Sequence, residues 1–194
     1  ALEYAQRGWA PIPLKKQEKV PCLPNWPNVA SSDDSYIRQH FTHHNGNIGI
    51  VCGKKSNLLV IDVDMPNGPA RLTQLESQLG KLPDTLSQTT GGGGKQLFFL
   101  YPDKVEIKNS IKKLGDGIDI RSNGGQVVVF PSTHPNGKQY LWDNDLPLAA
   151  LPQKWIDRFV QMEKKAKPVQ PAKPAELDKI FGLHPYIEKA LSNG

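Results

Sequence analysis

The run Leu58-Leu59-Val60-Ile61-Asp62-Val63-Asp64 constrains the fold of this chain more than any other segment. A short, continuous apolar run of this kind forms a strand. Side chains alternate along a strand, so Asp62 and Asp64 share one face while Ile61 and Val63 point into a core. Cα atoms two residues apart in a strand lie about 6.6 Å from each other. Two carboxylates at that spacing can grip one or two divalent cations. The other reading is a strand that runs out into solvent, where both aspartates are simply hydrated.

The rest of the chain supplies partners for that strand. Trp9 to Leu14, Asn47 to Val51, Gln96 to Tyr101, Gly117 to Arg121, Gln126 to Phe130 and Gln139 to Trp142 read as extended. Helices are expected over Leu2–Arg7, over Tyr36–Phe41 behind a cap at Ser32 or Asp33, and along the Leu72, Leu75, Leu79 stripe. A last helix opens at Pro152 with Trp155, Phe159 and Met162 on one face. The fold class is α/β (α+β), with a mixed-direction sheet flanked by helices.

Residues 1–160 form the expected folded unit. Residues 161–174, rich in proline and lysine, read as an extended linker. Residues 175–194 read as short helices with too little apolar surface to fold alone, the start of a truncated C-terminal region. Among 194 residues no stretch approaches the roughly 20 apolar residues of a membrane helix. The N-terminal residues have no signal-peptide character. Cys22 and Cys52 are too few for a disulfide framework or a zinc site, which suits a reducing, cytoplasmic setting. The formal charge of +5 is compatible with a polyanionic partner.

Three further segments carry chemistry. In Gly117-Ile118-Asp119-Ile120-Arg121 the isoleucines share one face and Asp119 and Arg121 the other. A third carboxylate beside a cation suits a site for divalent metal and a phosphate chain; an exposed Asp–Arg pair is the plainer reading. Four glycines, Gly91 to Gly94, precede the strand that begins near Gln96. They either let backbone N–H groups, such as those of Gly93 and Gly94, crowd an anion, or make a hairpin turn. The turn after Gln126–Phe130 presents Ser132 and His134, either to a ligand or only to solvent. Beside them Lys104, Lys108, Lys112 and Lys113 make a basic loop, on its own a solvated one.

In this order the segments resemble the primase–polymerase (Prim-Pol) domain of the archaeo-eukaryotic primase superfamily, found in plasmid, phage and other mobile-element replication proteins. The resemblance runs from Ala1 to about Trp155. It takes in Gly8-Trp9-Ala10-Pro11-Ile12-Pro13, Lys19-Val20-Pro21, Asn47-Ile48-Gly49-Ile50, the Asp62/Asp64 pair, the glycine run, the Asp119 strand and Pro131-Ser132-Thr133-His134. It implies a sheet related to the RNA-recognition-motif fold and metal-dependent transfer of nucleotides onto DNA. On this resemblance Asp62, Asp64 and Asp119 are the catalytic carboxylates and hold two Mg²⁺ or Mn²⁺ ions. Gln96, Arg121, Ser132, His134, Asn47, Gly93 and Gly94 meet the nucleotide, and Lys108, Lys112 and Lys113 meet DNA. The implied partners are single-stranded DNA template, nucleoside triphosphates and, in a longer protein, a helicase domain. The implied setting is the cytoplasm of a prokaryotic host.

The sequence departs from the family at Gln96, where a histidine ordinarily precedes the apolar strand. A glutamine donates a hydrogen bond but carries no positive charge. Lys95 falls on the opposite strand face, so Arg121 is the better substitute. Three readings compete. A haloacid-dehalogenase-like phosphatase also places Asp-x-Asp after an apolar strand, but it needs a later acidic pair and here a later strand carries Asp–Arg; a sugar-nucleotide transferase with an Asp-x-Asp metal motif is a minor alternative. The third is a catalytically impaired domain that binds nucleotide or single-stranded DNA.

Overall fold

The expected strands form, with limits displaced by a residue or two. The computed structural model describes residues 1–110 and 113–165. Along the chain these are α1 (Leu2–Gln6), β1 (Ala10–Leu14), α2 (Trp26–Val29), α3 (Asp34–Phe41), β2 (Asn47–Val51) and β3 (Leu58–Val63). There follow α4 (Gly68–Leu79), β4 (Ser87–Thr89), β5 (Lys95–Leu100), β6 (Ile118–Arg121) and β7 (Gln126–Val129). The last are β8 (Leu141–Trp142), β9 (Ala149–Ala150) and α5 (Gln153–Lys165). Residues Ala1–Glu163 form one compact unit.

The α+β class holds, but the strands make two sheets rather than one mixed sheet. The smaller has the order β1-β2-β7 and the larger β6-β3-β5-β4-β8. Every pairing between these strands is antiparallel except that of β9, which lies parallel to β5. β5 gives one edge to β3 and shares the other between β4 at Lys95–Leu97 and β9 at Phe99–Leu100. β1 contains Pro11 and Pro13, which suits an edge strand because proline has no N–H to offer a second neighbour. On that edge the Pro13 carbonyl accepts from the Cys22 N–H at 2.9 Å.

One face of the large sheet is covered by helices. Leu59, Ile61 and Val63 of β3, Phe99 of β5, and Ile118 and Ile120 of β6 are buried there with Leu75 of α4 and Trp155 and Phe159 of α5. The helical period of Trp155 and Phe159 continues to Met162, which also packs on this core. This explains why α5 runs through Lys165, into the segment expected to be an extended linker. The remainder of that linker and the segment 175–194 lie outside the described residues. On the opposite face Val60 and Phe98 pack with Ile50, Val127 and Val129 of the small sheet and with Trp9. Among the described residues no helix is long and apolar enough to cross a membrane.

Candidate active site

Register places four polar side chains in one line across the large sheet. Gln88 of β4 lies opposite Gln96 of β5, Gln96 opposite Asp62 of β3, and Asp62 opposite Asp119 of β6. All four are buried, Gln88 completely and Asp62 at 7% exposure. They share the face of Val60 and Phe98, away from the helices.

The line is hydrogen-bonded end to end. Gln88 Nε2 donates to Gln96 Oε1 at 2.6 Å, and Gln96 Nε2 donates to Asp62 Oδ1 at 3.2 Å. Arg121 then bridges the two acids, its Nε 3.4 Å from Asp62 Oδ2 and a terminal nitrogen 2.7 Å from Asp119 Oδ2. At the other end Gln88 Nε2 also donates to the Val128 carbonyl at 2.7 Å, and the Phe130 N–H reaches Gln88 Oε1 at 3.4 Å. A side-chain amide thus occupies the edge of β7 that β2 leaves open. The Phe130 N–H fixes which way the Gln88 amide points. That in turn makes Gln96 offer its nitrogen, not its oxygen, to Asp62.

Sequence reasoning missed Gln88, although a signal was there. If Gly91–Gly94 is a hairpin turn, the residues before it fold back on the strand that begins near Gln96, and the register, centred on Gly92, sets Gln88 opposite Gln96. The turn is made: the Gly93 N–H donates to the Thr90 carbonyl at 2.9 Å and the Gly94 N–H to Thr90 Oγ1 at 3.1 Å. The amides of Gly93 and Gly94 are therefore spent inside the hairpin, not gathered around an anion. The run is glycine also because backbones crowd it. A Cβ on Gly94 would lie 2.5 Å from the Val63 carbonyl oxygen, and one on Gly91 would lie 2.3 Å from His134 Cβ.

Burial raises the Asp62 carboxyl from 3.8 to about 6, and the charge of Asp64 adds to the rise. Arg121, the Gln96 hydrogen bond and Lys19 act the other way. Asp64 follows the end of β3 and is exposed. With Asp116 and Asp119 it lines a pocket of about 300 Å³. Asp119 thus touches both arrangements, the bridged pair with Asp62 and the pocket with Asp64. The three acids do not close into one cage. Among the described residues no group of three or more His, Cys, Asp or Glu side chains converges as a metal site. The donor chemistry nevertheless fits a hard divalent cation, because Asp62 and Asp119 present carboxylate oxygens to a single positive group, here the Arg121 guanidinium.

The other expected site residues divide sharply. Asn47 clamps backbone: its Nδ2 donates to the carbonyls of Glu18 (2.9 Å) and Thr133 (2.7 Å), and its Oδ1 accepts from the Thr133 N–H (2.9 Å). The Ser132 hydroxyl is taken up by the Ile48 backbone, accepting at 2.8 Å and donating at 3.3 Å. Both are buried braces of the turn after β7, not groups held out to a ligand. His134 is half-buried against Gly91 and 6.1 Å in ring-centroid distance from Tyr140. Lys108 and Lys113 are exposed and border a small pocket with Ile120 and Phe159, on the helix-covered side of the sheet. That is the face opposite the carboxylates, so a strand lying along the acids would not meet these two lysines there. Lys112 lies outside the described residues.

A family model described as bifunctional DNA primase/polymerase, N-terminal (Prim-Pol), matches residues 1–154. Comparison with curated proteins returns no significant match.

Proposed function

Since the chain belongs to the bifunctional DNA primase/polymerase family, a family of nucleotidyl-transferring enzymes, we propose that its own site transfers nucleotides from nucleoside triphosphates onto a DNA-templated primer or an initiating nucleotide. The observation that carries this reading is the buried Asp62–Asp119 pair, opposed across β3 and β6 around one cation. Asp62, Asp64 and Asp119 would hold Mg²⁺ or Mn²⁺. Such ions, when bound, acidify the attacking hydroxyl and offset charge on the triphosphate.

The chain's own groups set the stage for that chemistry. Gln96 pins one oxygen of Asp62 and leaves its second oxygen, shared with Arg121, toward Asp119. Arg121 keeps two buried anions together before substrate arrives. Its fork is suited to exchanging a carboxylate for a phosphate oxygen. His134 lies against Gly91 of the glycine hairpin, and Gly94 of that hairpin abuts Val63 and Asp64 at the end of β3. Primer extension and de novo priming with Mg²⁺ or Mn²⁺ test the assignment. Asp62→Ala is expected to lose about a thousandfold in rate, the several kcal/mol a catalytic metal contributes. Undiminished synthesis would reject it.

One observation favours a second reading. Gln96 is neutral and has both ends of its amide engaged, so no charge stands where the family places a histidine. A domain that binds nucleotide or single-stranded DNA without turning it over would show unchanged binding in Asp62→Ala and no metal-stimulated incorporation in either protein.

A further inference from the structure

A triphosphate brings several negative charges into this cleft, more than a single guanidinium shared with two carboxylates can meet. Arg121 is held between Asp62 and Asp119. Lys95 leans towards Asp143 at 3.5 Å and is half in solvent. Gln96 supplies no charge.

The opposite wall carries a lysine whose placement is unusually fixed. Residues 15–21 leave the end of β1 as a tight turn: the Lys15 N–H donates to the Val20 carbonyl (2.9 Å), the Glu18 N–H to the Lys15 carbonyl (3.1 Å), and Pro21 bridges back to Leu14. Gln17 takes a left-handed conformation, φ 55°, to close it. Two side-chain amides of the small sheet then seize consecutive carbonyls. Asn47 Nδ2 holds Glu18 at 2.9 Å and Gln126 Nε2 holds Lys19 at 3.0 Å. Both clamps act on backbone and leave the Lys19 side chain exposed. A solvated basic turn needs no such anchoring.

The first of these amides also ties the turn to the rim of the cleft: Asn47 Nδ2 holds the Thr133 carbonyl at 2.7 Å as well, and the next residue, His134, lies against Gly91 of the hairpin whose Gly94 abuts Val63 and Asp64. Gln126 precedes Val127 in β7 and shares the strand face of Val128, whose neighbours include Tyr140. Burial raises the Tyr140 hydroxyl, and the charges of Asp62 and Asp64 push it further. Lys19 makes no salt bridge among the described residues.

We propose that Lys19 is a phosphate-binding residue of the cleft, contacting the triphosphate of the incoming nucleotide from the wall opposite Asp62. The proposal rests on the polymerase reading above for its ligand. Its specificity comes from the clamp, which presents one lysine of the turn at a defined place while Lys16 in the same turn is left free of it.

The test uses the whole 194-residue chain as wild type, Lys19→Met, Lys19→Arg and Lys16→Met. Calorimetry with a nucleoside triphosphate and Mn²⁺ gives nucleotide affinity, fluorescence anisotropy with a single-stranded oligonucleotide gives template affinity, and incorporation kinetics separate KM from kcat. Losing one charge-assisted contact to phosphate weakens nucleotide binding by about 10- to 100-fold. Lys19→Met is expected to show that loss in both Kd and KM, with most of it recovered by Lys19→Arg. Lys16→Met and the oligonucleotide affinity are expected to match wild type. Nucleotide affinity within twofold of wild type in Lys19→Met overturns the proposal. So does an equal loss in Lys16→Met, or a loss confined to the oligonucleotide, which would give the lysine to the template. If wild type incorporates normally and Lys19→Met is indifferent, this inference alone falls. If wild type binds nucleotide through Lys19 yet never incorporates it, the polymerase reading falls and the lysine site stands.

Discussion

The two faces of β3 are built on opposite principles. Leu59, Ile61 and Val63 pack in a core of apolar side chains, and two helices cover them. Such a face asks for volume and shape, which many side chains could supply. Val60 and Asp62 look the other way, where the cover is partly the edge of another sheet. There a buried carboxylate is sustained by one glutamine, one arginine and a second glutamine behind the first. Each of these bonds has a direction, and losing one leaves a buried polar atom unmatched. One face of a single strand thus supplies stability and its neighbour spends some of it on reactivity.

That contrast can be broken by substitution. The largest effect is expected from Ile61→Ala, which should cost about 2–5 kcal/mol in denaturant unfolding. Incorporation per folded molecule should stay near wild type, because the side chain faces away from the acids. A selective loss of activity at unchanged stability would mean that the two faces are not separable.

Asp62→Asn should act in the opposite sense. The folded-state pKa of Asp62, about 6, lies above its unfolded value of 3.8. Its contribution to stability is therefore fully present below about pH 4 and is lost as pH rises through 6. In chelator at pH 7.5 the asparagine variant should melt higher than wild type, by an amount on the order of 1–3 kcal/mol. The advantage should vanish near pH 4. Parallel melting curves for the two proteins across that range would show that burial of this carboxylate carries no cost.

The smallest effect should come from Gln96→His. A neutral imidazole can accept from Gln88 with one nitrogen and donate to Asp62 with the other, as the amide does. Melting temperature and incorporation rate should each change little, by less than about threefold in rate. A large loss would show that the amide has a role the imidazole cannot take.

Which parts were legible in the sequence follows the same division. The apolar strands, the Leu72/Leu75/Leu79 helix and the shared face of Asp119 with Arg121 all declare themselves through period. β4 does not. Ser87-Gln88-Thr89 is short and polar, and it becomes a strand only because the glycine hairpin folds it against β5. The two-residue β9 and the single turn α2 were likewise invisible. Register decided the rest. Asp62 and Asp119 could be placed on like faces from alternation alone, but only pairing sets them opposite each other with Arg121 between. Asn47 and Ser132 have the right chemistry for a ligand, yet here the unmet needs of nearby backbone claim them first. Composition cannot say whether a buried amide serves the chain or a substrate.

The alternating prolines of β1 have a consequence beyond their own strand. A chain arriving beside that rim of the small sheet would find carbonyls but no donors at Pro11 and Pro13, and Cys22 already takes one of those carbonyls. At the sheet's other end the Gln88 amide plugs the open side of β7. Neither margin can seed the side-by-side accretion of strands that turns a folded protein into an aggregate.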